Sequence, residues 1–261
     1  MDLGIKDKTA LVLSAGGGLG SAIAVALARE GAKLCLADIN ADALANTVKA
    51  VESVGGQVLS FQWDLGDLQA TETAVSKILE ATGGVDILIN NTGGPAPGPA
   101  FGHSSEVWEK SFRAMVVSVI AITDQVLPGM RRRGWGRVIT STSSGVVAPI
   151  ANLGLSNATR IALLGWSKSL ARDIAADGVT ANVVIPGRIA TARTQFLDEA
   201  KAKREGREAQ LVSSESAATI PMGRYGTPEE YANAVAFLAS GCASYITGSV
   251  IRVDGGMIQS I

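Results

Sequence analysis

The sequence holds few of the residues that metal sites and disulfide frameworks require. Two cysteines, Cys35 and Cys242, and one histidine, His103, occur in 261 residues. The cysteines are far apart and form no C-x-x-C pair, which disfavours a disulfide framework or a redox motif. One histidine cannot build a zinc site without other strong ligands. We therefore expect no bound metal and no disulfide scaffold.

Net charge and long apolar runs are also scarce. The 23 Lys and Arg nearly balance the 24 Asp and Glu, and the one cationic run is Arg131-Arg132-Arg133. This balance gives no electrostatic footprint for nucleic acid or an acidic membrane. The longest apolar run, residues 114–123, is well short of the roughly 20 residues of a membrane helix. We therefore expect no nucleic-acid partner and no membrane span, and, since no secretory signal is visible, a cytoplasmic location.

The chain alternates short apolar runs with longer amphipathic segments, which is typical of a parallel sheet wrapped by helices. The apolar runs predict seven strands buried on both faces, at residues 9–13, 33–38, 57–63, 85–89, 137–141, 180–185 and 250–253. Helices are predicted at residues 19–29, 40–54, 68–82, 106–132, 155–176 and 228–238. The fold class is α/β, a single Rossmann-type doubly wound domain over residues 1–261. The charged stretch 191–218 is predicted to be a mobile flap over the substrate.

A glycine-rich turn follows the first predicted strand directly, with the sequence Ser14-Ala15-Gly16-Gly17-Gly18-Leu19-Gly20. Glycines let the backbone turn sharply and approach a pyrophosphate, which the free amides of the following helix stabilise. The strict G-x-G-x-x-G spacing is absent, so a plain flexible turn is the alternative.

Asp38 ends the second predicted strand, where a carboxylate can accept hydrogen bonds from the ribose hydroxyls of an adenosine. A 2′-phosphate would be repelled there, and neither the turn nor Ile39 supplies an arginine to neutralise it. This arrangement favours NAD over NADP. The alternative is that Asp38 only caps the helix predicted at residues 40–54.

Further motifs appear in order along the chain: Asp64-Leu65, Asn90-Asn91-Thr92-Gly93, Pro186-Gly187 with Thr191, Tyr245-Ile246-Thr247-Gly248 and Val253-Asp254-Gly255-Gly256. Together with the glycine turn they resemble the short-chain dehydrogenase/reductase (SDR) family over nearly the whole chain. The resemblance implies cofactor binding by Ser14, Gly16, Gly18, Leu19, Gly20, Asp38, Asp64, Leu65, Asn91, Gly93, Pro186, Gly187 and Thr191. It also implies a homotetramer or homodimer, with the apolar C-terminal residues between subunits.

The catalytic positions depart from the family. Its serine maps onto Ser143, but the Tyr-x-x-x-Lys motif is replaced by Ser156-Asn157-Ala158-Thr159-Arg160, and Met115 stands where a helical asparagine is usual. Ser156 is a poor general base because an alcohol is far less acidic than a phenol, whose pKa is about 10. Arg160 can bind a ribose or a substrate carboxylate, but it does not release a proton. The alternative is that both residues only fill a former active site.

The resemblance and these replacements together imply an NAD(H)-dependent oxidoreductase acting on a hydroxyl/carbonyl pair of a small substrate, with Ser143, Ser156 and Arg160 as a non-standard catalytic set. An anionic group on the substrate is expected at Arg160. His103 is considered as a substitute proton carrier, although a surface role is the simpler interpretation. The other functions left open are a non-redox lyase on the same fold and a nucleotide-binding protein without turnover.

Overall fold

The computed structural model describes residues 2–261 of the chain. Seven strands lie at β1 Thr9–Leu13, β2 Lys33–Asp38, β3 Val58–Gln62, β4 Ile87–Asn90, β5 Gly136–Ser141, β6 Val179–Pro186 and β7 Val250–Val253. The helices are α1 Gly18–Arg29, α2 Ala41–Ser53, α3 Leu68–Thr82, α4 Ser105–Phe112, α5 Ser118–Arg133, α6 Gly154–Ile174, α7 Ala192–Glu205, α8 Ala209–Ala218 and α9 Pro228–Leu238. The predicted strands are all found, with boundaries shifted by at most a few residues.

The strands form one parallel sheet in the order β3-β2-β1-β4-β5-β6-β7, and all the described pairs are parallel. The chain starts in the middle, runs to the β3 edge and then returns to β4, so the direction of winding reverses between β1 and β4. Ligands of open α/β sheets bind at the carboxyl ends of the strands beside such a reversal. Helices cover both faces, as the predicted fold class requires.

Two separate apolar layers hold the helices on the sheet. One joins β1 and β2 to α1 and α9, with Ile23, Leu27 and Val235 fully buried. The other lies on the opposite face, with Val75 from α3 and Ile122 from α5 also fully buried. Packing of α1 and α5 on opposite faces leaves the strand ends open between them.

The prediction that every strand is buried on both faces is wrong for β3 and β7. β3 is partly exposed along its length, with Leu59 at 45% exposure, and Val250 of β7 is 44% exposed. Both are edge strands, so each lacks a neighbour on one side, whereas β1, β4 and β5 are buried throughout.

One long helical segment runs from Ser105 to Arg133, interrupted by a π-helical turn at Arg113–Val117. It has 29 residues, and the mean hydropathy of its most apolar window is 1.3, so its length and composition are sufficient for a membrane span. The apolar run at residues 114–123 covers only part of this helical segment. However, Ile122, Val126 and Met130 are at most 1% exposed and pack on the sheet. Such burial is typical of a core helix, and core helices can have the same length and composition as a membrane span.

The charged stretch at residues 191–218 forms two helices, α7 and α8. Thr191 caps α7, since its side chain accepts a hydrogen bond from the backbone N–H of Thr194 at 3.3 Å. The mobility expected for this segment stays a prediction. The segment lies at the carboxyl end of β6, where it can cover a bound substrate.

Candidate active site

The glycine turn brings the start of α1 very close to the end of β1. A β-carbon at Gly20 would clash with the carbonyl oxygen of Ser14, so this position has no room for a side chain. Gly17, the N-cap residue of α1, supplies no side-chain cap. The first-turn amides are therefore available to an anionic ligand, with the helix dipole favouring negative charge.

Ser14 itself has a positive φ of 47°, the left-handed region that favours glycine. The SDR family usually places a glycine at this position, so this chain carries a serine in a strained conformation. The side chain of Asn91 donates to the Ser14 carbonyl oxygen at 3.4 Å, linking the turn to the end of β4.

Asp38 lies against the same turn. Its Oδ2 accepts the backbone N–H of Gly16 and its Oδ1 accepts that of Asn40, both at 2.8 Å. The cap of α2 is Asn40, whose side chain accepts the N–H of Ala43 at 3.0 Å. Capping of α2 thus does not explain Asp38, and its carboxylate is held in place where further donors can reach it.

A first cavity of about 630 Å³ opens beside this carboxylate. Among the predicted residues it is lined by Ser14, Gly16, Asp38, Asp64, Leu65 and Gly93. Ile39 is 61% exposed at its rim, and the one cation among its described lining residues is Lys110 of α4. Met115 also lines this cavity and is 3% exposed.

A second cavity of about 520 Å³ adjoins the first, and the two share Gly93 and Gly94 in their walls. It collects the remaining predicted residues that line a cavity: Leu19, Asn91, Ser143, Ser156, Arg160, Pro186, Gly187 and Thr191. Gly18 and Gly20 line neither cavity. They act through close packing, because a β-carbon at Gly18 would lie 2.9 Å from Cγ2 of Thr191.

The two cavities together fit a dinucleotide. One end offers a carboxylate for a ribose, the middle offers free helix amides, and the other end offers the loop after β6 and the end of β5. In the middle of this groove, Thr191 packs so closely against Gly18 that only glycine fits there. The residues present therefore suit a nicotinamide dinucleotide.

Ser143 follows β5 and points a usable hydroxyl group at the second cavity. Its Oγ accepts the backbone N–H of Gly145 at 3.1 Å, and within residues 2–261 it donates to no recorded partner. A hydroxyl held in this way can donate its proton to a ligand oxygen.

Ser156 and Arg160 lie one turn apart on α6, and each is 7% exposed. Nη2 of Arg160 donates to the carbonyl oxygens of Thr92 at 3.0 Å and Gly93 at 2.9 Å. Burial, and next the nearby charge of Arg193, lower the pKa of Arg160 to about 10. Arg160 therefore stays protonated at neutral pH.

The structure does not bring His103 to either cavity. Its Nε2 is 2.9 Å from the carbonyl oxygen of Pro99, and its ring meets Trp108 edge-on. Since the sequence places His103 only after a long glycine- and proline-rich loop, its position could not be inferred from spacing. The geometry favours the surface interpretation over a proton carrier.

One wall of the second cavity, formed by residues 150–153, was not predicted from the sequence. Asn157 holds this segment, donating to the carbonyl oxygen of Ile150 at 2.9 Å and accepting its N–H at 3.3 Å. The sequence signal for Asn157 was its position, because Asn157 directly follows the predicted site residue Ser156.

Across the described residues, no group of three His, Cys, Asp or Glu side chains is placed to hold a metal ion.

The comparisons with known proteins agree with this site. The family model described as enoyl-(acyl carrier protein) reductase matches residues 14–258. The 3-oxoacyl-(acyl-carrier-protein) reductase of Escherichia coli is 37% identical over 258 residues, covering 98% of this chain and 99% of that protein.

Solved structures agree as well. L-Sorbose reductase from Gluconobacter frateurii, complexed with NADPH and L-sorbose, superposes with a TM-score of 0.94 at 31% identity, covering all of both chains. NAD⁺-bound xylitol dehydrogenase superposes with a TM-score of 0.89 at 25% identity, covering 97% of this chain and 99% of that one.

These findings define the class of protein. The chain belongs to the short-chain dehydrogenase/reductase family, and it is an oxidoreductase that uses a nicotinamide nucleotide.

The strained turn generates the first testable prediction. Ser14→Gly should raise the free energy of unfolding by about 1 kcal/mol, because glycine tolerates a φ of 47° without steric cost. Urea unfolding followed by circular dichroism measures this change. As a control, Ala50→Gly within α2, where φ is not positive, should lower the same free energy by about 0.5–1 kcal/mol. A destabilised Ser14→Gly protein would show that the serine side chain offsets the strain.

Proposed function

We propose that the protein is an NAD(H)-preferring oxidoreductase that interconverts a hydroxyl and a carbonyl group on a small anionic substrate, with Ser143 and Arg160 in the main roles. The observation that carries this proposal is the Arg160 guanidinium, which is buried, protonated and without a carboxylate partner among residues 2–261, in the wall of the cavity that holds Ser143. A buried cation without a counter-ion favours a negatively charged ligand.

In this proposal, Ser143 and Arg160 of the second cavity have different roles in the reaction. A bound nicotinamide nucleotide supplies or accepts the hydride. Ser143, oriented by the Gly145 N–H, donates its hydrogen bond to the reacting oxygen and polarises the carbonyl. Arg160 holds the anionic group of the substrate and orients it.

Proton transfer follows a different route from that of a tyrosine-dependent relative. Ser156 is an alcohol, and Arg160, whose pKa is about 10, keeps its proton at neutral pH. Neither side chain exchanges a proton readily at neutral pH, so we infer that the proton is exchanged with solvent through the open cavity. We expect a lower rate than a phenol would allow, since general acid–base catalysis is worth roughly 10²–10⁴.

The preference for NAD rests on Asp38. Its carboxylate lies at the ribose end of the first cavity, bonded to two backbone amides, and no arginine lines that cavity among the described residues. A 2′-phosphate there would meet like charge and no fork of donors. The sorbose reductase structure contains NADPH, so this proposal separates the chain from that relative.

The cofactor proposal predicts that the protein binds NADH about tenfold or more tightly than NADPH. Asp38→Ala should reduce this ratio about tenfold, because it removes the repulsion of the 2′-phosphate together with the ribose hydrogen bonds. Fluorescence titration of both cofactors measures the ratio. Asp42→Asn, an exposed change of the same charge on α2, is the control and should keep it. Equal affinities in the unaltered protein would refute the preference.

The catalytic proposal predicts a separation of kinetic effects. Arg160→Ala should mainly raise KM for an anionic substrate, whereas Ser143→Ala should mainly lower kcat. Ser156→Ala should lower kcat by less than the roughly 10²–10⁴ of a lost acid–base residue. The change in 340 nm absorbance of NADH with candidate keto acids gives these constants.

The converse test is the double change Ser156→Tyr with Arg160→Lys. Because it restores a phenol beside an ammonium, it should increase the rate with neutral alcohols or ketones. Abolition of activity by Ser156→Ala with NADH affinity intact would assign Ser156 the main role instead. No absorbance change with any carbonyl compound would contradict the proposed reaction.

We also propose that the protein is a homo-oligomer, a tetramer or dimer, through its C-terminal edge. Val250 is 44% exposed on the edge strand β7, and Ile261 is fully exposed. Apolar residues left open at a sheet edge are stabilised by a second copy under closed symmetry. Light scattering should give a multiple of the 26.8 kDa chain mass, and Val250→Asp should lower it. A monomer at micromolar concentration would refute the proposal.

A further inference from the structure

Two guanidinium groups from different elements converge on one glycine in the wall of the second cavity. A β-carbon at Gly94 would lie 3.2 Å from Nη2 of Arg193 and 3.7 Å from Nη2 of Arg160. Arg160 comes from α6 and Arg193 from the first turn of α7. Both side chains line the second cavity, so the fold brings two cations to one place on its surface.

Neither cation has an acidic partner among the described residues. Every recorded ion pair within 4 Å involves other residues. Arg160 donates to the carbonyl oxygens of Thr92 and Gly93, and Arg193 donates to that of Pro95 at 2.7 Å. Like charges that are partly removed from water repel, and the repulsion falls when an anion binds between them.

The rest of the second cavity adds no negative charge. No carboxylate lines it among residues 2–261, although Arg188, Lys201 and Arg204 do. Arg188 is neutralised by Asp198, whose Oδ1 lies 2.6 Å from its Nη1, and Arg204 lies 3.7 Å from a carboxylate oxygen of Glu205. The cations of this wall without a counter-ion are therefore Arg160, Arg193 and Lys201. Arg160 is buried and Arg193 is exposed, and these two are neighbours.

Buried bonds hold the helix that carries Arg193. Asp198 of α7 is 4% exposed and accepts hydrogen bonds from Arg188 and, at 2.8 Å, from the hydroxyl of Tyr225. The Arg193 guanidinium also lies 5.5 Å from the ring of Phe196 on the same helix. The two bonds of Asp198 position α7 before any ligand binds, which lowers the entropy cost of bringing Arg193 beside Arg160.

We propose that Arg160 and Arg193 form a clamp that binds one oxyanion of the substrate, a carboxylate or a phosphate, beside the backbone of Gly94. The recorded bonds of Arg160 use only Nη2, so Nε and Nη1 remain for the oxyanion. The inference rests on the proposed function for the statement that the ligand is the substrate. The expected substrate is a small hydroxyl or carbonyl compound that carries a carboxylate or a phosphate group, in preference to a neutral sugar or ketone.

The first experiment measures anion binding without turnover. Malonate and inorganic phosphate are titrated separately into the protein saturated with NADH, by calorimetry and by thermal unfolding, against sodium chloride at matched ionic strength. We expect saturable binding of at least one anion, weakened at least tenfold in Arg160→Gln and in Arg193→Gln. Arg132→Gln removes the same charge from the exposed end of α5 and should leave the affinity unchanged. The two titrations distinguish a carboxylate site from a phosphate site.

The second experiment places the anion in the protein itself. Gly94→Asp puts a carboxylate next to both guanidinium groups and should abolish malonate and phosphate binding. Gly94→Asn has the same shape without the charge and should retain part of the anion affinity. If the clamp is correct, the aspartate variant also unfolds at a higher temperature than the asparagine variant, because its carboxylate pairs with the two cations. This comparison remains informative if an arginine variant fails to fold.

The outcomes separate this inference from the proposed function. If NADH binds but malonate, phosphate and chloride act alike, or if Arg193→Gln binds anions as well as the unaltered protein does, the clamp is overturned and the oxidoreductase proposal stands. If the anions bind through both arginines but no carbonyl compound changes the NADH absorbance, the clamp stands and the proposed reaction fails. Equal unfolding temperatures of the Gly94 variants also count against the clamp.

Discussion

The contact between the start of α1 and the end of β1 sets the geometry on which the site depends. The carbonyl oxygen of Ser14 lies where a side chain at Gly20 would have to be, so the helix can begin only with glycine there. Because the helix approaches so closely, its free amides face the carboxyl edge of the sheet. Asp38 then reaches the Gly16 amide from β2, and Thr191 packs against Gly18 from the loop after β6. One backbone contact thus brings three distant loops to one groove.

Electrostatics distinguishes the two ends of this groove. The first cavity contains the carboxylates of Asp38 and Asp64, whereas the second is lined by cations without carboxylates among the described residues. Within the second cavity, Arg188 has a buried counter-ion, but Arg160 has only carbonyl oxygens as partners. Burial lowers the pKa of Arg160 only to about 10, so desolvation does not remove its charge at neutral pH. An unneutralised charge inside a cavity is an unfavourable state that an anionic ligand relieves.

In the function that we propose, Ser156 and Arg160 stand at altered catalytic positions and change which steps the side chains can perform. Ser143 keeps the part of the site that polarises an oxygen, since Gly145 orients it from the following turn. At residue 160, a guanidinium that holds its proton stands in place of an ammonium that can release one. At residue 156, an alcohol stands in place of a phenol, which is the stronger acid. Binding and orientation are therefore favoured over proton transfer.

The sequence by itself determined the order and type of the strands, the glycine turn, Asp38 and the register of the altered motif. Each of these depends on neighbours along the chain: β-branched runs, helical periodicity, or a glycine at a fixed step after a strand. Only the tertiary structure decided that β3 and β7 are exposed edges, that His103 lies outside the cavities, and that Asp198 neutralises Arg188. It also decided that Arg160 and Arg193 meet at Gly94. The physical reason is that these contacts join segments distant along the chain, and the sheet order and the packing of α6 and α7 fix their distances, which no local pattern encodes.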